Sequence, residues 1–63
     1  MFRLIIEDKH IDYKLHSAAE VANAVFENTG DWMLASHARE VCVNSSAGCR
    51  FEYFEDGVVI ECM

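Results

Sequence analysis

Proline is absent from the 63 residues, and glycine occurs only three times. Such a composition excludes collagen-like, PPII and low-complexity architectures, and it leaves few sites for sharp chain reversal. No apolar run approaches the roughly 18 residues needed to span a bilayer. The start, Met1-Phe2-Arg3-Leu4-Ile5-Ile6, leads into alternation rather than a signal-peptide core, so a cytoplasmic location is expected. Bases are scarce, five against eleven acids for a net charge of -6. A surface of that sign repels phosphate backbones and anionic membranes, so neither direct nucleic-acid nor membrane binding is expected.

Close cysteine pairs are also missing. Cys42, Cys49 and Cys62 are odd in number and sit in strand-like segments, which predicts reduced, packed thiols rather than a disulfide scaffold. Together with His37 they could supply four nitrogen and sulfur ligands, but structural zinc sites draw ligands from close pairs of the C-x2-C kind. No metal or cofactor is therefore expected. His37 with Cys42 is the one local base and thiol pair, and the surrounding acids would raise a thiol pKa instead of lowering it. No phosphate-cradling glycine loop, serine-centred triad motif or nucleotide fingerprint occurs, and a domain this small has little room for a pocket of several hundred Å³. The expectation is a protein that is not an enzyme.

Just over half the residues are apolar and a quarter are charged, a globular composition for one domain over residues 1–63. The size lies near the lower limit for folding without staples, so a partner or a second copy would add stability by mass action.

Periodicity predicts the elements. Phe2, Leu4 and Ile6, then Ile11, Tyr13 and Leu15, alternate with polar positions. A hairpin centred on Asp8-Lys9 faces Ile6 with Ile11, Leu4 with Tyr13 and Phe2 with Leu15. Ser17-Ala18-Ala19-Glu20 is a capping box; Ala18, Val21, Ala22, Val25 and Phe26 form a helical stripe, and Gly30 supplies the stop. Residues 31–36 read as a loop or one turn, with Asp31 able to cap a second short helix. The β-branched end Val41-Cys42-Val43 predicts a strand from about His37 to Asn44, and Asn44 to Gly48 read as a loop. Asp56-Gly57 predicts a two-residue hairpin turn. That turn sets Tyr53 opposite Ile60 and Phe51 opposite Cys62 on the core face, with Phe54 opposite Val59 and Glu52 opposite Glu61 outside. A three-residue turn would mix polar with apolar.

The predicted fold is therefore α+β, a small antiparallel sheet in ββαβββ order with two hairpins and one helix on one face. The expected core is Phe2, Leu4, Ile6, Ile11, Tyr13, Leu15, Val21, Val25, Phe26, Phe51, Tyr53 and Ile60, with Trp32 closing one end.

Charge placement suggests the function. Up to Leu15 acids and bases balance at three each; beyond it eight acids, including Glu40, Glu52, Glu55, Asp56 and Glu61, stand against Arg39 and Arg50. The predicted registers put Ile5, Phe54 and Val59 on the sheet face away from the helix, beside Glu7, Asp12, Glu52 and Glu61. Apolar residues with an acidic border suit a protein interface. Glu52 facing Glu61 could shift one pKa upward, with Arg50 on the diagonal to relieve it. The pattern supports an inhibitor or adaptor whose carboxylates occupy a basic, nucleic-acid-binding groove of a partner protein. Small phage-encoded inhibitors of host or defence machinery, anti-CRISPR proteins among them, share this size, charge and lack of a catalytic signature, although no motif here aligns with any of them. Two alternatives stand beside it: a homodimeric structural or accessory domain that buries the outer sheet face or an edge strand against its copy, and a small metal-stabilised module.

Overall fold

The computed structural model describes residues 1–63. Strands β1 (Phe2–Ile6) and β2 (Ile11–Leu15) pair antiparallel in the predicted register, Phe2 with Leu15, Leu4 with Tyr13 and Ile6 with Ile11. Their connection is a 3-10 turn over Glu7–Lys9. It is closed by His10, a non-glycine residue at φ 53 whose N–H donates to Glu7 O at 3.2 Å.

Helix α1 (Ala18–Thr29) starts and stops where its capping signals lie. The N–H of Glu20 donates to Ser17 Oγ at 3.2 Å, and Glu20 Oε2 accepts from the N–H of His16 at 3.3 Å. Gly30, at φ 69, donates its N–H to Phe26 O at 2.8 Å and turns the chain out of the helix.

The next segment departs from expectation. Instead of a loop and a strand from His37, a second helix α2 runs over Trp32–Asn44, with Asp31 Oδ1 accepting from the N–H of Leu34 at 3.0 Å. Leu34, Ala35, Ala38 and Cys42 are its buried residues and form one helical stripe, while Val43 points to solvent and Val41 is half-buried. Burial of that stripe on a neighbouring layer outweighs the modest strand preference of two β-branched residues.

Strands β3 (Arg50–Tyr53) and β4 (Val58–Cys62) complete a four-stranded, wholly antiparallel sheet in the order β2-β1-β4-β3. The fold is thus α+β with two helices in ββααββ order, not the predicted ββαβββ with one. The second hairpin also slips two residues from expectation: Phe51 faces Ile60, Tyr53 faces Val58, Glu52 faces Val59 and Arg50 faces Glu61. A slip of two keeps every side chain on its face. It moves Phe54 out of the strand into a connection spanning residues 54–57, where the N–H of Asp56 donates to Tyr53 O at 3.1 Å.

Both helices cover one face of the sheet, and the core lies between the layers. Leu4, Ile6, Val58 and Ile60 from the sheet meet Val21, Ala24 and Val25 of α1 and Leu34, Ala35, Ala38 and Cys42 of α2. Phe2, Ile11, Leu15, Phe51 and Tyr53 are half-buried around this centre, whereas Tyr13 and Phe26, both expected inside, are exposed. Tyr13 lies on the edge strand β2, and Phe26 lies edge-on to Trp32 at the α1–α2 groove. Trp32 closes no end; it lies edge-on to Phe26 with ring centroids 6.2 Å apart and is 71% exposed.

Candidate protein interface

Strand alternation places Arg3, Ile5, Asp12, Lys14, Arg50, Glu52, Val59 and Glu61 on the outer sheet face. Registered rows run Asp12, Ile5, Val59, Glu52 and then Lys14, Arg3, Glu61, Arg50 across the four strands. Arg3 grips Asp12 with two nitrogens (Nη2–Oδ2 2.7 Å, Nε–Oδ1 3.0 Å) and reaches Glu61 at 3.2 Å. Arg50 bonds Glu61 at 2.6 Å and Glu52 at 2.7 Å. The carboxylates expected to repel one another are therefore bridged by arginine. Of the expected apolar residues, Ile5 and Val59 do sit side by side, but Val59 is 5% exposed and Phe54 has left this face. The outer face is a closed lattice of ion pairs rather than an acidic border around free apolar surface.

The lattice has a pH signature. Hydrogen bonds from Arg3 hold the Asp12 carboxyl below its ordinary range and push the Arg3 guanidinium up, as those to Glu52 do for Arg50. A carboxyl whose pKa is lower folded than unfolded adds stability above the unfolded value of about 3.9, and that stability is lost as pH falls through the folded value. Asp12→Asn is expected to flatten the acid limb of the stability profile, read as urea midpoints between about pH 2 and pH 6. An acid limb identical to wild type would dismiss the Arg3–Asp12 contribution.

A second group of acids is left unpaired. Because β1 and β4 are neighbours and Ile6 faces Val58, the two hairpin connections emerge side by side. The N–H of Glu7 donates to Gly57 O at 2.9 Å, and a Cβ on Gly57 would lie 3.7 Å from the Asp8 carboxylate. Glu7, Asp8, Glu55 and Asp56 thus share one end of the sheet, all exposed. Every ion pair of the molecule uses Arg3 or Arg50, both on the outer face. The nearest base, Lys9, turns to Asn28 O at 2.6 Å, where it complements the C-terminus of α1. Phe54 stands at this end, 86% exposed.

Of the expected interface residues, the fold therefore gathers Glu55, Asp56 and Phe54 at the end and Ile5, Glu52, Val59 and Glu61 on the outer face. Glu40 lies apart, exposed on α2. Glu7 and Asp8 join the end through strand order, which no local pattern announces. Sequence reasoning also missed a shallow groove of about 250 Å³ on the helical side, lined by Ala19, Ala22, Phe26, Trp32, Ala35 and Arg39. Its residues recur at helical spacing on α2 and could have been found had that helix been recognised.

The residues weighed for chemistry do not converge on one centre, because His37 pairs with Tyr53 and not with a thiol. His37 Nδ1 is 3.1 Å from Tyr53 Oη, and burial, then Cys42, raises the Tyr53 phenol pKa. Burial, then neighbouring Cys62, pushes the Cys42 thiol up to about 11. No group of three or more His, Cys, Asp or Glu side chains has metal-binding geometry, and no helix is long and apolar enough to cross a membrane. Comparison with protein families, curated proteins and solved structures finds no match to this chain.

Proposed function

We propose that this domain is a protein-binding inhibitor or adaptor that docks its acidic end into a basic surface of a partner, in place of the phosphates such a surface holds. The observation that carries this reading is the convergence of Glu7, Asp8, Glu55 and Asp56 around exposed Phe54 with no cation paired to them. Unpaired carboxylates steer a cationic surface toward the end, and one desolvated aromatic ring supplies the contact that persists once salt screens the charges. Glu52 and Glu61, already neutralised by arginine, contribute little to that field.

The partner is recovered by affinity capture from the native cell and then titrated in purified form. The double variant Glu55→Lys with Asp56→Lys is expected to weaken binding about tenfold or more, and wild-type affinity to fall steeply as salt rises to about 0.5 M. Both positions are exposed, so circular dichroism should show an unchanged fold. Affinity indifferent to both salt and charge reversal would overturn the reading.

A homodimer is favoured by a different observation: Trp32 and Met33, 71% and 80% exposed, stand with Phe26 on the helical side. That exposure favours a self-contact on the helices over one on the ion-paired sheet face. Sedimentation at micromolar concentration discriminates, because a strict monomer removes this reading.

A further inference from the structure

The three cysteines are well separated along the chain, yet two of them meet across β3 and β4. The N–H of Cys49 donates to Ser46 O at 3.2 Å with Gly48 at φ 94, the left-handed third position of a type II turn. The N–H of Gly48 donates to Cys62 O, and the N–H of Cys62 donates to Cys49 O, each at 2.8 Å. Residues 48 and 49 together oppose one residue, which is a β-bulge with glycine in its first position. The β3–β4 register, extended by one residue, likewise sets Cys49 opposite Cys62. Hydrogen-bonded partners across antiparallel strands have Cα atoms about 5.5 Å apart, within the roughly 4.4–6.8 Å span a disulfide bridges. Alternation from outward Arg50 turns Cys49 inward, the side on which Cys62 is buried.

The thiols differ in access. Cys49 is half-buried beside the exposed turn, Cys62 is buried with Sγ donating to Ser45 Oγ at 3.0 Å, and Cys42 is buried under α2. All three are free.

We propose that Cys49 and Cys62 form a modification site for low-molecular-weight disulfides, oxidised to a cross-strand disulfide in two exchange steps. The Cys49 thiolate attacks one sulfur of glutathione disulfide, whose S–S bond breaks; one glutathione leaves as thiolate and is protonated by water. Cys62, having released its proton to solvent, then attacks Cys49 Sγ and expels the second glutathione. Two protein thiols give up two electrons and two protons, and the glutathione disulfide takes them up as two glutathione molecules. The new bond closes the β3–β4 hairpin into a ring and ties the Ser46–Cys49 turn to the end of β4. Cys42 takes no part, since the register sets Cys62 and not Cys42 opposite Cys49.

The purified protein is equilibrated with glutathione disulfide, unfolded, alkylated with iodoacetamide and weighed without reduction. Loss of two of the three alkylatable thiols, with fragmentation within residues 43–48 assigning the bond to Cys49 and not to Cys42, is the expected result. Cys42→Ala should still lose two thiols and Cys49→Ser none. Retention of all three thiols, a bond mapped to Cys42, or a stable glutathione adduct on Cys49 would overturn the proposal. The assignment on wild-type protein stands whether or not a variant folds.

Discussion

Ile60→Ala is expected to remove a large share of the domain's stability and lower its urea midpoint steeply. Ile60 is 0% exposed on β4, an inner strand, with Leu4 of β1 on one side and Phe51 of β3 on the other. Truncating such a side chain removes transfer energy and leaves a cavity that the two helices above can only partly close, at a cost of about 2–5 kcal/mol. A chain of this length has roughly 3–9 kcal/mol of stability in total. The loss is therefore a large part of that margin. Phe54→Ala is the control: it removes a larger side chain from the exposed connection and should shift stability by no more than about 0.5 kcal/mol. Urea unfolding followed by far-UV circular dichroism compares them. Equal midpoints for the two variants would mean that the sheet does not pack on the helices as described.

The contrast between those two residues also marks where sequence patterns inform and where they fail. The β1–β2 register is legible to the residue because one slip would turn Phe2, Leu4 and Ile6 toward water. Helix α1 is legible because Ser17, Glu20 and Gly30 mark its ends chemically. The second hairpin is legible only in its faces. A slip of two residues conserves them, so alternation cannot choose between Phe51 opposite Cys62 and Phe51 opposite Ile60. That choice rests on non-local gains: Val58 enters the core and Arg50 comes opposite Glu61. The candidate interface follows the same division. Glu55, Asp56 and Phe54 are visible as a local acidic turn with an apolar neighbour, whereas Glu7 and Asp8 reach them only because β1 lies beside β4. Arg50 relieves Glu52 and Glu61 as its local position suggests, whereas the second bond to Glu61 is not legible, since Arg3 comes from the far end of the chain.

Residues 37–44, expected as a strand and found as a helix, yield the second large effect. Ala38→Pro is expected to unfold the domain. Ala38 is 0% exposed in the interior of α2. Proline there removes a helical N–H and drives its ring against the carbonyl one turn back, costing about 3 kcal/mol or more before any packing loss. In an edge strand, by contrast, proline is tolerated. The variant thus separates the two structures of this segment directly. Ala38→Gly separates backbone from packing, because it weakens the helix by only about 0.5–1 kcal/mol and adds no bulk. Losing α2 also uncovers its partners, since Cys42 lies in the layer between α2 and the sheet and Cys62 Sγ bonds Ser45 Oγ at the end of that helix. The measured consequence should be cooperative: in Ala38→Pro, helical dichroism falls and Cys42 and Cys62 become alkylated as fast as in urea, while in Ala38→Gly both thiols stay protected. Retained dichroism with protected thiols in the proline variant would show that residues 37–44 are not the interior of a buried helix.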